Sequence, residues 1–356
     1  MSNARAGHSK RDMKGMARIF LARNGTFIGV VVLIAFFATK NEHFLSFRNA
    51  QVIGQSISEL GVIAAMLALL VIAGAVDLSV GSVASMAGII AGKVMVNTNS
   101  VPLGVAAGLV FGLGAGALNG LLVSFFRLNS IVVTLGTLAV WGGLALFVTD
   151  GQTVARLPES FTNLATAKPL GIEIQVIILF LVLIIAWGIL NRTPFGKRLY
   201  AIGGNERASY LMGINVRVVR FAMFVIVGLV ASLAGIMYAA KLNAATPISG
   251  QGLELTALTV VLLGGVAFAG GAGRIGGVLA GLLFVGVLQN GLIVTGTSQF
   301  LQQIFLGVLL IAAVALDDTL RQFMRTTWIQ RSNTDPNEST TVAGETGDSP
   351  PGEPSA

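Results

Sequence analysis

The side chains able to do chemistry in this chain are few, and most of them interrupt apolar sequence. The segment GAVDLSVGSVASMAGIIAG (74–92) sets Asp77, Ser79, Ser82 and Ser85 among apolar residues. A carboxylate at membrane depth is costly and usually functional. Two roles stand for it: a cap on a helix starting at Ser79, or part of a gate across a membrane. Asn119, Thr134, Thr137, Gln289 and Asn290 also fall inside apolar runs, and Glu254 stands at the start of another. Such groups either line a water-filled route or hydrogen-bond one helix to the next. Glu254 reads equally as an interfacial acid.

Several other chemistries are excluded. Cysteine is absent, which removes disulfides, Cys-ligated zinc, iron–sulfur clusters and thiol nucleophiles. The two histidines, His8 and His43, belong to no ligand set of HExxH type, so no metal site is expected. GAGRIG (271–276) fits GxGxxG, but it joins two apolar runs and follows no strand, so it predicts no dinucleotide site. Gly196-Lys197 is followed by Arg198 where a phosphate-binding loop needs Ser or Thr, and no GxxxxGK[ST] occurs. Gly-x-Ser-x-Gly is missing too. No catalytic residue and no cofactor is expected.

The elements that must hold these side chains are membrane helices. Of 356 residues, 54% are hydrophobic and only 11% charged, against about 25% charged in a soluble domain; mean hydropathy is +0.81. A span needs about 20 mainly apolar residues. Ten runs qualify, near 21–39, 54–74, 79–96, 103–126, 130–149, 170–190, 218–240, 255–269, 275–295 and 300–316. Their continuity argues for helices rather than a barrel, which would alternate. The expected fold class is all-α and polytopic, with about ten transmembrane helices. Only AVDLS (75–79) separates the second run from the third, so a broken or re-entrant helix is expected near 74–80. Gly112, Gly116 and Gly120, four apart, predict a helix-packing face.

The net charge of +7 sits at the ends of apolar runs and so points to a bilayer rather than nucleic acid. With ten spans and the N-terminus inside, 17 Lys and Arg fall on the cytoplasmic side and 6 outside, which predicts an N-in, C-in arrangement. Residues 1–20 read as a cytoplasmic tail ahead of a retained first span, 21–320 as the transmembrane domain, and 321–356 as a cytoplasmic, largely disordered tail.

The longest polar stretch between spans is NRTPFGKRLYAIGGNERASYLMGINVRVVR (191–220). Gly203 and Gly204 break it. Asn205 is placed to cap a short helix, Glu206 suits that helix's positive end, and Gly213 can finish it. Leu211, Met212 and Ile214 give it an apolar side. That side must be buried, either on a partner protein or on the bilayer surface.

Four segments, taken in order, carry a resemblance. AVDLSVGS (75–82), LNGLLVSFFRLNSIVVTLGTL (118–138), TPFGKRLYAIGGNERASYLMGINV (193–216) and GLELTALTVVLLGGVAFAGGAGRIGGVLAGLL (252–283) resemble blocks of bacterial ABC-type permeases that import monosaccharides, of the ribose, xylose, galactoside and autoinducer-2 kind. The resemblance spans about residues 20–320. It implies a coupling loop for a cytoplasmic ATPase, carried by Gly203, Gly204, Asn205, Glu206, Arg207, Ala208 and Gly213. Arg207 and Ala208 stand where the older EAA-x3-G pattern has paired alanines. It also implies a periplasmic sugar-binding protein, a second permease subunit and a bacterial inner-membrane location. A missing phosphate-binding loop fits, because hydrolysis then belongs to another chain. The competing expectation is an ion- or proton-coupled secondary transporter of a small polar solute, which would need membrane-embedded acids such as Asp77 and Glu254.

Overall fold

A computed structural model describes residues 25–332, with side chains as far as residue 315 except at 164–166 and 170. The basic N-terminal tail expected over 1–20, and the tail beyond residue 332, lie outside the described residues. What is described is helical, and no strand occurs among these residues beyond one isolated bridge, Val154 with Ala245.

The chain opens with α1 (Gly25–Ala38), α2 (Phe47–Ser56) and α3 (Ser58–Ile72). It continues with α4 (Val80–Thr98), α5 (Val101–Ser124), α6 (Ser130–Phe147), α7 (Glu159–Thr166) and α8 (Ile174–Arg192). Two short helices follow, α9 (Pro194–Gly204) and α10 (Glu206–Leu211), then the long α11 (Val216–Leu242). The last three are α12 (Leu253–Leu263), α13 (Ile275–Val294) and α14 (Gln299–Ser332). The part of α14 beyond residue 314 belongs to a separate unit.

Six helices are long and apolar enough to cross a membrane: α4, α5, α6, α8, α11 and α13. α2 and α3, bent by 50° at Ile57, make a seventh if they count as one span. α1, α12 and the apolar part of α14 are shorter. Each of the ten apolar runs thus coincides with a helix, but length and apolarity mark only six or seven as spans.

Local sequence sets the starts. Asn129 Oδ1 accepts the backbone N–H of Ile131 and Val132 at 2.9 and 3.3 Å, opening α6. Thr193 Oγ1 accepts from Gly196 at 3.2 Å ahead of Pro194, and Asn215 Oδ1 accepts from Val218 at 3.2 Å. These satisfy N–H groups that a helix start leaves without partners. Asn99 and Asn243 end α4 and α11 in left-handed backbone, a conformation Asn tolerates better than most residues.

Every residue of α3 is buried, as expected of a helix apolar all round. It packs against α8, α11, α12 and α13. A second seam joins α5, α11 and α4, and small residues make it. A Cβ at Gly112 would overlap Ser232 Oγ and the Gly228 carbonyl; one at Gly116 would overlap the Phe224 carbonyl. Two turns further along the same face of α11, a Cβ at Gly235 would overlap the Ala84 carbonyl. Without a hydrophobic drive between helices in lipid, such close backbone approach supplies the packing energy.

Two helices start inside the bundle. α3 ends at Ile72, and a non-helical segment, 73–79, buried except at Gly74, leads into α4. This is the break expected near 74–80. The second was not foreseen: residues 243–252 lead to α12, and Gly250 lies on Gly81 with its N–H donating to Ser85 Oγ at 2.7 Å.

Candidate functional site

The segment 73–79 carries the densest buried polar cluster. Ser79 donates both its N–H and its Oγ–H to Asp77 Oδ1, at 2.8 and 2.6 Å. Asn119 of α5 donates from Nδ2 to Ser79 Oγ at 2.8 Å and to Asp77 Oδ2 at 3.4 Å. Thr137 of α6 donates to Asn119 Oδ1 at 2.9 Å. The chain Asp77–Ser79–Asn119–Thr137 therefore ties the break to two neighbouring helices, and all four residues are buried. Ser82 donates to the Ser79 carbonyl at 2.9 Å, and Thr134 to the Ser130 carbonyl at 2.8 Å. Ser130 Oγ in turn accepts from the Val76 N–H at 3.3 Å.

Asp77 thus holds the turn that precedes α4. Ser79, at the cap position itself, makes no side-chain capping bond. Among the described residues Asp77 makes no ion pair; its oxygens are met by a hydroxyl, a backbone N–H and an amide. A carboxylate satisfied this way avoids the penalty of an unpaired buried polar group.

Glu254 lies on the other face of α4. Its Oε1 accepts from the Gly252 N–H at 3.2 Å, and its Oε2 sits where a Cβ on Gly81 would be. It stands in the first turn of α12 and against the first turn of α4 at Gly81, where the helix dipole favours an acid. It is half-buried there. Gln289 and Asn290 are not drawn into this cluster. They lie on α13, which packs on α12, α3, α2 and α8, and Asn290 Oδ1 is buried without a hydrogen-bond partner among the described residues.

Below the break a cavity of about 1230 Å³ is lined by Gly74, Ala75, Ser124, Arg127, Arg207 and Arg217, among others. Its other wall is the 191–220 segment. Asn205 Oδ1 accepts from the Ala208 N–H at 2.9 Å and starts α10. Gly203 and Gly204, expected to break the chain, instead complete the last turn of α9, and the break is at Asn205. Gly203 has a packing reason: a Cβ there would overlap the Ile72 carbonyl, which accepts from the Gly271 N–H at 2.8 Å. Gly213, at φ 82°, turns the chain after α10, where an L side chain would be strained. Glu206 pairs with Arg220 of α11 at 2.8 Å. Tyr210, Leu211 and Met212 are 71%, 77% and 83% exposed. Tyr200 of α9 donates to the Gly273 carbonyl at 2.7 Å, and burial pushes its phenol above the ordinary value, so it remains a donor.

Sequence reasoning missed the ion pairs, among them Glu59 with Lys241. Lys241, at the far end of α11, lies 3.3 Å from Glu59 Oε1 in the first turn of α3. Its ammonium also donates to the Gln55 carbonyl of α2 at 3.2 Å. Glu59 is 3% exposed. The only signal in the sequence is a lone acid inside the run near 54–74 and a lone base just past the run near 218–240, 182 positions apart. Nothing in the spacing pairs them.

The comparisons agree with this architecture. Residues 51–314 match the family described as branched-chain amino acid transport system / permease component. The ribose import permease protein of Escherichia coli K12 is 35% identical over 305 residues, 85% of this chain and 95% of that one. The D-allose transport system permease protein of the same strain is 34% identical over 302 residues, 84% and 92% of the two chains. The L-arabinose transport system permease protein, again of that strain, is 35% identical over 315 residues, 88% and 93%. No solved structure matches. An all-helical chain with apolar spans, a buried polar break and an identity of this extent is a multi-pass membrane protein, and it belongs to the transport-system permease family that includes the ribose, D-allose and L-arabinose permeases.

Proposed function

We propose that this chain is the membrane-spanning subunit of an ATP-binding-cassette importer in a bacterial inner membrane, and that it forms the route for a small neutral sugar. The observation that carries the reading is α10. A capped helix between two spans exposes Tyr210, Leu211 and Met212, and an exposed apolar cluster of this kind marks an interaction surface. ATPase subunits docked on α10, with Gly203, Gly204, Asn205, Glu206, Arg207, Ala208 and Gly213 shaping the contact, supply the driving force. A periplasmic binding protein delivers the sugar to the opposite face, and a second permease subunit completes the route. The relatives named above are import permeases for ribose, D-allose and L-arabinose, which supports a pentose or hexose here.

The 17 basic residues on one side against 6 on the other support ten crossings with both ends inside, the 191–220 segment cytoplasmic, and residues 1–20 and 321–356 as cytoplasmic tails. α1, the bent α2/α3, α12 and the apolar part of α14 supply the four crossings beyond the six long helices. Unpaired sugar hydroxyls cost roughly 2–7 kcal/mol each to bury, so the route needs hydrogen-bonding stations. Asp77, Ser79, Ser82, Asn119, Thr134 and Thr137 form one above the inner cavity; Glu254 flanks it, and Gln289 and Asn290 offer further polar groups along α13.

The test is reconstitution of the chain with its ATPase and binding protein in proteoliposomes. Uptake that stops when the ATPase loses its phosphate-loop lysine supports the proposal. Uptake by this chain alone, driven by a proton gradient, refutes it in favour of a secondary transporter.

A further inference from the structure

α11 is a 27-residue helix, about 40 Å long at 1.5 Å per residue, and it carries an ion pair near each end. At one end Arg220 holds Glu206 of α10. At the other Lys241 holds Glu59 of α3 and the Gln55 carbonyl of α2. Between them α11 is locked to α5 and α4 by backbone-to-backbone contact at Gly228 and Gly235, where no side chain can yield. A rod packed this closely moves as one piece, since close-packed interiors transmit displacement rather than absorb it.

Lys241 also meets the α2/α3 bend in a specific way. The 50° break at Ile57 leaves the last carbonyls of α2 and the first N–H groups of α3 without their usual helical partners. The ammonium lies at the negative end of α2, and the Glu59 carboxylate at the positive end of α3, each the charge that end favours. Tyr238, one turn back on α11, places its ring 6.0 Å from the same ammonium.

We infer that Glu59 and Lys241 are positioning residues that clasp the α2/α3 bend to α11, so that displacement of α10 is carried along α11 and reaches the outer end of the bundle as a change in that bend. This rests on the coupling role proposed above for α10 and adds the element that delivers the movement across the bilayer. It assigns transport work to two residues outside the lining of the large cavity beside α10.

The chain has no cysteine, so Glu59→Cys with Lys241→Cys gives a single linkable pair. The variant is assembled with its ATPase and binding protein in proteoliposomes and joined by a short cleavable bis-thiol reagent. Without the link the variant lacks the ion pair and should import roughly tenfold less sugar per ATP hydrolysed; the short link replaces the clasp and should restore the ratio, and cleavage should lower it again. An unlinked variant that couples normally, or a link that restores nothing, overturns the inference. The second variant, Glu59→Gln with Lys241→Met, strands no charge. It should assemble with its ATPase but import roughly tenfold less sugar per ATP hydrolysed, within the usual span of coupling between distant sites. An unchanged ratio overturns the inference as well. Failure of the underlying reading looks different: the ATPase then binds equally well to a chain whose Leu211 and Met212 are both changed to Asp.

Discussion

At the scale of single residues, Asp77 and Asn205 have jobs that distinguish an oxygen acceptor from a charge. Asp77 accepts two bonds from Ser79 through one oxygen. Asp77→Asn keeps an acceptor at that point, and purified protein should lose little thermal stability. Asp77→Leu leaves the Ser79 N–H and hydroxyl buried without a partner, a loss of about 1–3 kcal/mol, visible as a lower melting temperature in detergent and much weaker uptake. Equal stability of the two variants would show that the buried cluster does not hold the break. Asn205→Ala removes the cap that Ala208 donates to. The expected cost is about 1 kcal/mol, confined to α10, and it should appear as reduced ATPase recovery when the complex is purified at unchanged permease yield. The residues of this scale that sequence could name were those whose type is odd for their surroundings. Asp77, Asn119 and Thr137 stood out in apolar runs. That they meet each other was not legible, because they are contributed by three separate segments. Glu59 lies inside the run near 54–74 and was passed over there; only the structure starts α3 at Ser58 and brings Lys241 to it.

The glycines separate by what faces them at the scale of elements. Gly228 lies against the Gly112 carbonyl, whereas Gly114 has no heavy atom within 4 Å of a Cβ placed on it. Gly228→Ala forces α5 and α11 apart and should destabilise by about 1–3 kcal/mol. Gly114→Ala is expected to be neutral or to stabilise by up to about 1 kcal/mol, from helix propensity alone. Melting temperatures of the two variants in one detergent check the contrast directly. The four-residue spacing of Gly112, Gly116 and Gly120 showed that a packing face existed. It could not say that α11 was the partner, nor that Gly235 on α11 would meet α4. The same limit applied to Gly203, whose close neighbour is the end of α3, more than a hundred residues earlier.

At the largest scale, two regions of the described helices before residue 315 differ in character. One gathers α9, α10, the α5–α6 turn and the arginines of the inner cavity. The other holds Lys241 on the bent α2/α3 pair. The proposed topology puts the first in the cytoplasm. Met212→Cys, 83% exposed at position 212 in the native chain, should therefore react with an impermeant thiol reagent in inside-out vesicles and stay unlabelled in intact spheroplasts. Labelling in spheroplasts would reverse the topology and remove the ATPase from α10. The broken α3–α4 and the late-starting α12 meet at Gly81 and Gly250, so the two irregular segments pack on each other there, and non-helical backbone at membrane depth is tolerated where protein or a water-filled cavity lines it.

By itself the sequence determined the helical class, the place of the apolar runs, the break near Asp77, the capped helix at Asn205 and the family resemblance. Each depends on local composition or on short spacing, which a linear chain displays openly. The tertiary structure alone decided the partners: Asp77 with Asn119 and Thr137, Glu254 against α4, α11 against α5, and Lys241 across to Glu59. In an apolar setting many helix faces are chemically alike, so hydropathy leaves their pairing open. It is settled where backbones approach closely enough at glycine, and where buried polar groups find each other.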